Sequence, residues 1–219
     1  MLESWKVICL THSFARKAFM LPSSPAMFER LRTHINNVIK MSDEEFDRGT
    51  TFLIPKKLRK RQYLLQAGDI CQWVVFIARG CLRQYSLDSE GKERILRFGI
   101  EGWWITDLES FRSRLPASSN IDALEDSELL LMNNESLERL NVAGSAWERY
   151  YRGILEKENQ AALLRISDLI GASAEERYTR FLQMYPDLFN RIPLHQIASY
   201  LGITPQTLSR IRSQLSKRK

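Results

Sequence analysis

The sequence predicts an α+β fold: a helical opening, an all-β sandwich or barrel, one long helix, and a small helical unit at the C-terminus. Three observations predict it. From about Thr50 to Asn133, short apolar or alternating runs are punctuated by turn residues, the pattern of many short strands. From Ser145 to Ile170 the turns vanish and apolar residues recur at helical spacing. The stretch "IASYLGITPQTLSRIR", residues 197–212, breaks at Gly202 and restarts behind Thr204-Pro205.

The opening segment, MLESWKVICLTHSFARKAFMLPSSP, carries only a short apolar run, Val7–Leu10, too short for a signal-peptide core. Residues 1–26 read as a poorly specified leader, and Met27 is an alternative start. No apolar run reaches the roughly 18 residues of a membrane span, so no membrane partner is expected. Residues 27–47 read as helical through Phe28, Leu31, Ile35, Val38 and Ile39, and Ser42 with Glu45 has the form of a capping box opening a second short helix. The β region follows in "QYLLQAGD", "WVVFIARGCLRQYSLD", "ERILRFG" and "SELLLMN", with turns at 67–69, 79–80, 88–91 and 101–102.

Past Asn133, residues 136–140 read as a short helix and 145–170 as the long one. The long helix carries Trp147, Tyr150, Tyr151, Ile154, Leu155, Ala161, Ala162, Leu164, Ile166 and Leu169. This is more apolar surface than one supporting face needs. It serves either as a core helix on the β-domain or as a seam with a second copy of the chain, although Glu158, Asn159 and Gln160 interrupt the heptad. Ser173, with Glu176 three residues on, restarts a helix over 174–185 that ends at Pro186.

Chemistry is sparse along the chain. Three cysteines (Cys9, Cys71, Cys81) at irregular spacing form neither a disulfide framework nor a metal ligand set, and point to a reducing cytoplasm. His12, His34 and His195 are far apart, so no metal site is expected. No nucleophile–base–orienter set stands out; neither an enzyme nor a cofactor is expected. The net charge is +6, and its placement is informative. Arg191, Arg210, Arg212, Lys217, Arg218 and Lys219 meet no acid after residue 190, while the other 26 basic residues are matched by 26 acids. The whole excess lies in the last segment, which reads either as a solvated basic tail or as a footprint for phosphates.

The last segment itself favours the second reading. Pro193 suits the first turn of a helix whose buried stripe is Leu194, Ile197 and Leu201. Ala198 is small enough for a close crossing, Gly202 permits a left-handed turn, and Ile203 plugs it. Thr204 caps the next helix, Pro205 takes its first position, and Leu208, Ile211 and Leu215 are its buried stripe. Gln206, Arg210, Ser213 and Lys217 then share the opposite face, which is polar, partly basic and free of carboxylates. Such a face suits the major groove of double-stranded DNA, with Thr204, Thr207, Ser209, Lys217 and Arg218 reaching phosphates. The spacing is that of a helix-turn-helix.

In the order of these units, and in "YLLQAGD", "FIARGCLRQY", "GKERILRFG", "DALEDSELLLM" and "IASYLGITPQTLSRIR", the chain resembles the Crp/Fnr family of bacterial transcription regulators over residues 27–219. The resemblance implies a jelly-roll β-roll of the cyclic-nucleotide-binding type, a dimerisation helix, a homodimer and RNA polymerase as a partner. It leaves room for a small-molecule effector at the β-roll. The expected division is a leader over 1–26, the β-roll with flanking helices over 27–140, the dimerisation helix over 141–170, and the helix-turn-helix unit over 171–219.

The departures from the family matter as much. Thr106 and Asp107 stand where cyclic-AMP-binding members carry Gly-Glu, and Ala117 and Ser118 stand where they carry Arg-Ser. Without that arginine a buried cyclic phosphate loses its strongest partner, although Arg112 and Arg114 lie nearby in sequence as substitutes. Trp103 and Trp104 sit where the pocket should begin, as core residues or as a flat apolar effector site. Pro205-Gln206 replace the family's Arg-Glu pair in the recognition helix, and Arg210 matches its further arginine. The cysteine spacing suits no iron–sulfur cluster, and the chain stops at Lys219, where members continue into a wing. The expectation is a sequence-specific DNA-binding regulator, dimeric on a near-palindromic site and not responsive to cyclic AMP. Two alternatives are a ligand-sensing module acting on a protein partner and a cupin-type metalloenzyme; the second would need histidines in 50–133, which holds none.

Overall fold

A computed structural model describes residues 25–142, 144–186 and 188–217. Residues 1–24 of the expected leader, with Cys9 and His12, and the basic Arg218 and Lys219 lie outside the described residues. Helix α1 (Pro25–Asn36) buries Met27, Leu31 and Ile35. It is shorter than its periodicity suggests: Val38 and Ile39 fall in the turn beyond it and still pack partly on the core. Helix α2 (Asp43–Thr50) opens on the expected capping box, in which the Ser42 hydroxyl accepts the Glu45 N–H and the Glu45 carboxylate accepts the Ser42 N–H.

Eight strands follow: β1 (Ile54–Leu58), β2 (Tyr63–Leu65), β3 (Val74–Arg79), β4 (Leu82–Leu87), β5 (Glu93–Gly99), β6 (Trp104–Ile105), β7 (Asn120–Ala123) and β8 (Ser127–Met132). They form two four-stranded antiparallel sheets, β1-β8-β3-β6 and β2-β7-β4-β5. Interior strand β3 is buried on both faces from Val74 to Ala78, which explains its unbroken apolar run. At Gly80, φ is +107°, and a Cβ would strike the Ser127 hydroxyl, so the β3–β4 turn requires glycine. A six-residue helix, α3 (Leu108–Ser113), interrupts the strand region and was not expected. Asp107 caps it by accepting the Ser110 N–H.

Beyond the sheets lie α4 (Asn134–Leu140), α5 (Ala146–Gly171), α6 (Ala174–Met184), a 3₁₀ turn (Leu188–Asn190), α7 (Leu194–Leu201) and α8 (Pro205–Lys217). Ser145 caps α5, and Ser173 with Glu176 makes a second capping box at α6.

The long helix differs between its two halves. Its first turns are core: Ala146, Trp147 and Tyr150 are buried against the sheets and α2, with the Trp147 indole donating to the Glu45 carbonyl at 2.9 Å. Its second half leaves Leu163, Leu164, Ile166, Leu169 and Ile170 exposed, Ile170 at 83%.

A second core joins the β4–β5 side of the sheets to the C-terminal helices. Cys81, Tyr85, Ile95 and Phe98 pack with Tyr178, Phe181, Tyr185, Ile197, Leu201, Leu208 and Ile211. Polar stitches reinforce it. Arg191 binds Glu101 at 2.9 and 3.0 Å and also pairs with Glu125. One Arg165 amino group donates to the carbonyls of Ile95 and Tyr200, at 3.1 Å each. No helix among the described residues is long and apolar enough to cross a membrane.

Candidate nucleic-acid interface

The site is built from the turn outward. Gly202 ends α7 at φ +66°, ψ +34°, the left-handed conformation that side chains with a Cβ rarely adopt. Its N–H donates to the Ser199 carbonyl at 3.1 Å, and the Ile203 N–H reaches back to Ala198 at 3.0 Å, so the chain reverses within three residues. The Thr204 hydroxyl then accepts the Thr207 N–H at 3.2 Å, capping α8, and Pro205 supplies its first residue. The packing is settled by Ile197, Ala198 and Leu201 on α7 and by Leu208 and Ile211 on α8, all buried.

Burial of Leu208 and Ile211 turns Gln206, Ser209, Arg210 and Ser213 outward, and all four are exposed. The helix contains no acid. Arg210 makes no ion pair or hydrogen bond among the described residues, so its guanidinium is available to a ligand. Thr204 and Thr207 lie at the helix start with their hydroxyls 3.0 Å apart; Thr204 is exposed and Thr207 half-buried. Lys217 closes α8; its side chain and all of Arg218 lie outside the described residues. Exposed amides, hydroxyls and a free guanidinium at the end of a capped helix are the groups that hydrogen-bond base edges and phosphates.

The uniform basic footprint needs correction. Two of the six basic residues turn inward. Arg191 is spent on Glu101 and Glu125. Arg212 stacks over the Phe189 ring at 4.3 Å and lies beside the Tyr178 hydroxyl. Sequence counting misses this because the partners lie far away in the chain.

At the β-roll, the expected pocket residues do not gather around one cavity. Asp107 is buried, capping α3 and accepting the Ser119 hydroxyl at 2.6 Å; that hydroxyl in turn accepts from the Gln84 amide at 2.8 Å. Gln84 and Ser119 escaped the sequence reading, since nothing in their spacing links them. Ala117 is buried and bonded through its backbone to Gly68 and Asp69. Ser118 is exposed, and the Thr106 hydroxyl donates to the Trp73 carbonyl at 2.9 Å. Arg112 is exposed, lying over Tyr151 and donating to its hydroxyl at 3.0 Å, and Arg114 is exposed at the end of α3.

The tryptophans part company. Trp104 packs on Phe76 at 5.3 Å between ring centroids and donates its indole N–H to the Tyr150 hydroxyl at 2.8 Å. Trp103 faces Tyr185 at 5.4 Å on the other core.

Known proteins bear on this arrangement. Residues 55–141 match the cyclic nucleotide-binding domain family. The fumarate and nitrate reduction regulatory protein of Yersinia pestis is 26% identical over 191 residues, which span 81% of this chain and 75% of that protein. Among solved structures, FixK2 from Bradyrhizobium japonicum superposes with a TM-score of 0.64 at 23% identity, covering 76% of this chain and 85% of its own. The catabolite activator protein of Thermus thermophilus gives 0.51 at 22% identity, covering 81% and 85%. These structures share the fold: two antiparallel sheets, a long helix and a C-terminal helix-turn-helix, in the order found here. In that architecture, in the matched domain and in its regulator relatives, the chain is similar to the transcriptional regulators of the Crp/Fnr family.

Proposed function

We propose that this regulator acts as a homodimer on near-palindromic duplex DNA, each copy laying α8 in a major groove, and that cyclic AMP is not its signal. The carrying observation is the exposed, acid-free face of α8, whose Arg210 makes no ion pair or hydrogen bond among the described residues. Two such helices about 34 Å apart read half-sites one helical turn apart. Base contacts fall to Gln206, Arg210 and Ser213, and phosphate contacts to Thr204, Thr207, Ser209, Lys217 and Arg218.

Dimerisation is supported by the second half of α5, where Leu163, Ile166 and Ile170 face solvent. A helix of 26 residues is about 39 Å long, enough for a paired seam. The domains we assign are the β-roll to residue 140, the seam helix over 141–170 and the DNA-binding unit from 171. This reading places the protein in the cytoplasm with RNA polymerase as its partner, and it requires no catalytic step.

Indifference to cyclic AMP follows from charge. The phosphate of that nucleotide needs a buried cation, and Ala117 occupies the position of the family's arginine. Calorimetric titration with cyclic AMP is expected to give no saturable heat; micromolar saturation would defeat this part. The DNA reading is tested by selecting bound fragments from the source genome and weighing the protein in solution. The expected outcome is a shared inverted repeat bound by two chains.

A further inference from the structure

A cleft of about 440 Å³ lies where the β5–β6 turn, the middle of α5 and the end of α7 meet. Its volume falls within the roughly 300–1,000 Å³ of small-molecule sites. Aromatic side chains supply much of its wall: Trp103 from the turn, Trp104 from the start of β6, Tyr185 from beyond α6 and Tyr200 from α7. The Trp103 and Tyr185 rings lie 5.4 Å apart, and those of Tyr185 and Tyr200 6.0 Å apart.

The charges lining it do not cancel. Arg97 and Glu158 pair at 2.8 Å, and Glu101 is held by Arg191 at 2.9 Å. That leaves Lys157 and Arg165. Lys157 has no acid partner among the described residues. Arg165 lies over the Tyr200 ring at 4.1 Å and spends one amino group on two carbonyls. Its Nε–H is buried with no acceptor, a costly state for a charged donor. His34 also lines the cleft, its Nδ1 2.7 Å from the Tyr150 hydroxyl; burial, and then the Lys157 charge, lower its pKa, so it adds no positive charge near neutrality.

We infer that this cleft binds a small planar anion, an aromatic or conjugated carboxylate or sulfonate, with its ring against Trp103 and its charge on Lys157 and the Arg165 guanidinium. The location differs from the β-roll interior, where Asp107, Ser119 and Gln84 already satisfy one another. It also lies on a different face of α5 from Leu163, Ile166 and Ile170, so a paired seam leaves it open. An occupant touches the β-roll, the long helix and the DNA-binding unit together, and so favours this pose of α7 over others. The inference does not rest on the DNA reading, and its test contains no DNA.

The test is titration of the full chain with 8-anilinonaphthalene-1-sulfonate, beside uncharged N-phenyl-1-naphthylamine, by fluorescence and calorimetry. Lys157→Met removes the charge at an exposed position, Ala161→Trp fills the cleft, and circular dichroism checks that each variant folds. The expected result is one sulfonate site per chain, weakened about ten-fold by either variant, while the uncharged probe is weakened by Ala161→Trp alone. Equal sulfonate binding by all three proteins would overturn the inference. So would loss of the site on Leu163→Ser/Ile170→Ser rather than on the cleft variants, because the probe would then sit on the exposed face of α5.

Discussion

The Ser199 hydroxyl accepts the Ile95 N–H at 3.1 Å, and through this contact α7, the first helix of the helix-turn-helix, is fastened to the edge of the β-roll. The same hydroxyl donates to the Glu93 carbonyl at 3.0 Å, so one side chain satisfies two backbone groups on the outer strand β5. An edge strand otherwise offers those groups to water or to another chain. The DNA-binding helices and the β-roll are therefore mechanically connected.

Removing that fastening has a local signature. Ser199→Ala loses hydrogen bonds worth about 1 kcal/mol net, which corresponds to roughly five-fold faster opening. Amide exchange at Ile95 is expected to accelerate by about that factor while β3 and β8 keep their protection. Unchanged exchange at Ile95 would mean that the apolar contacts alone hold the two units together.

Acid acts on the neighbouring contact between Glu101 and Arg191. Burial raises the Glu101 carboxyl, but the Arg191 hydrogen bonds and the Gly80 N–H outweigh it, and the net pKa lies below the ordinary 4.5. The folded chain therefore holds this proton less readily than the unfolded one. The stabilisation is fully present above the ordinary carboxylate value and is lost as pH falls through the lowered one. Urea unfolding of wild type and Glu101→Gln should differ near pH 7 and converge toward pH 3; a gap that widens in acid would reverse the assignment.

The dimer seam is tested by charge. Ile166→Asp/Ile170→Asp places two carboxylates on the exposed stripe, where they harm nothing in a single chain but oppose pairing of copies. Light scattering is expected to fall from two chains to one, with the circular dichroism unaltered. A mass that stays at two chains would place the seam elsewhere.

Arg210 and Arg212 are two residues apart and make opposite predictions. Arg210→Ala should cost roughly 1–3 kcal/mol at a selected operator and relax base preference at one position per half-site. Arg212→Ala removes the cation stacked on Phe189 and should lower the thermal midpoint without changing base preference. Neutralising Lys217 and Arg218 together should weaken binding to every sequence and reduce the salt slope by about 2. Competition assays with single-base operator variants separate the three.

Local chemistry was readable along the chain. The capping boxes at Ser42 and Ser173, the long helix beginning at Ser145, and the turn at Gly202 follow from neighbours within a few residues. The outward face of α8 was equally readable, because burying Leu208 and Ile211 leaves Arg210 no other direction. Long-range matters were not. Helix α3 hides in six residues, LESFRS, whose only announcement is the cap at Asp107. Arg191 looks like part of a basic tail until the fold brings Glu101 and Glu125 beside it. Trp103 and Trp104 read as one pair, yet they serve different cores, because adjacent residues near a strand start point to opposite sides. The cleft between β-roll, α5 and α7 draws on residues from 34 to 200, which no window along the chain unites.

The most direct measurement of the central claim is binding of the purified chain, at modest ionic strength, to fragments of its own genome, followed by the same assay on Arg210→Ala. The account predicts enrichment of a common inverted repeat by the native protein and loss of that enrichment in the variant, with both proteins folded. Equal retention of all fragments by the native chain, or an operator preference untouched by Arg210→Ala, would contradict it.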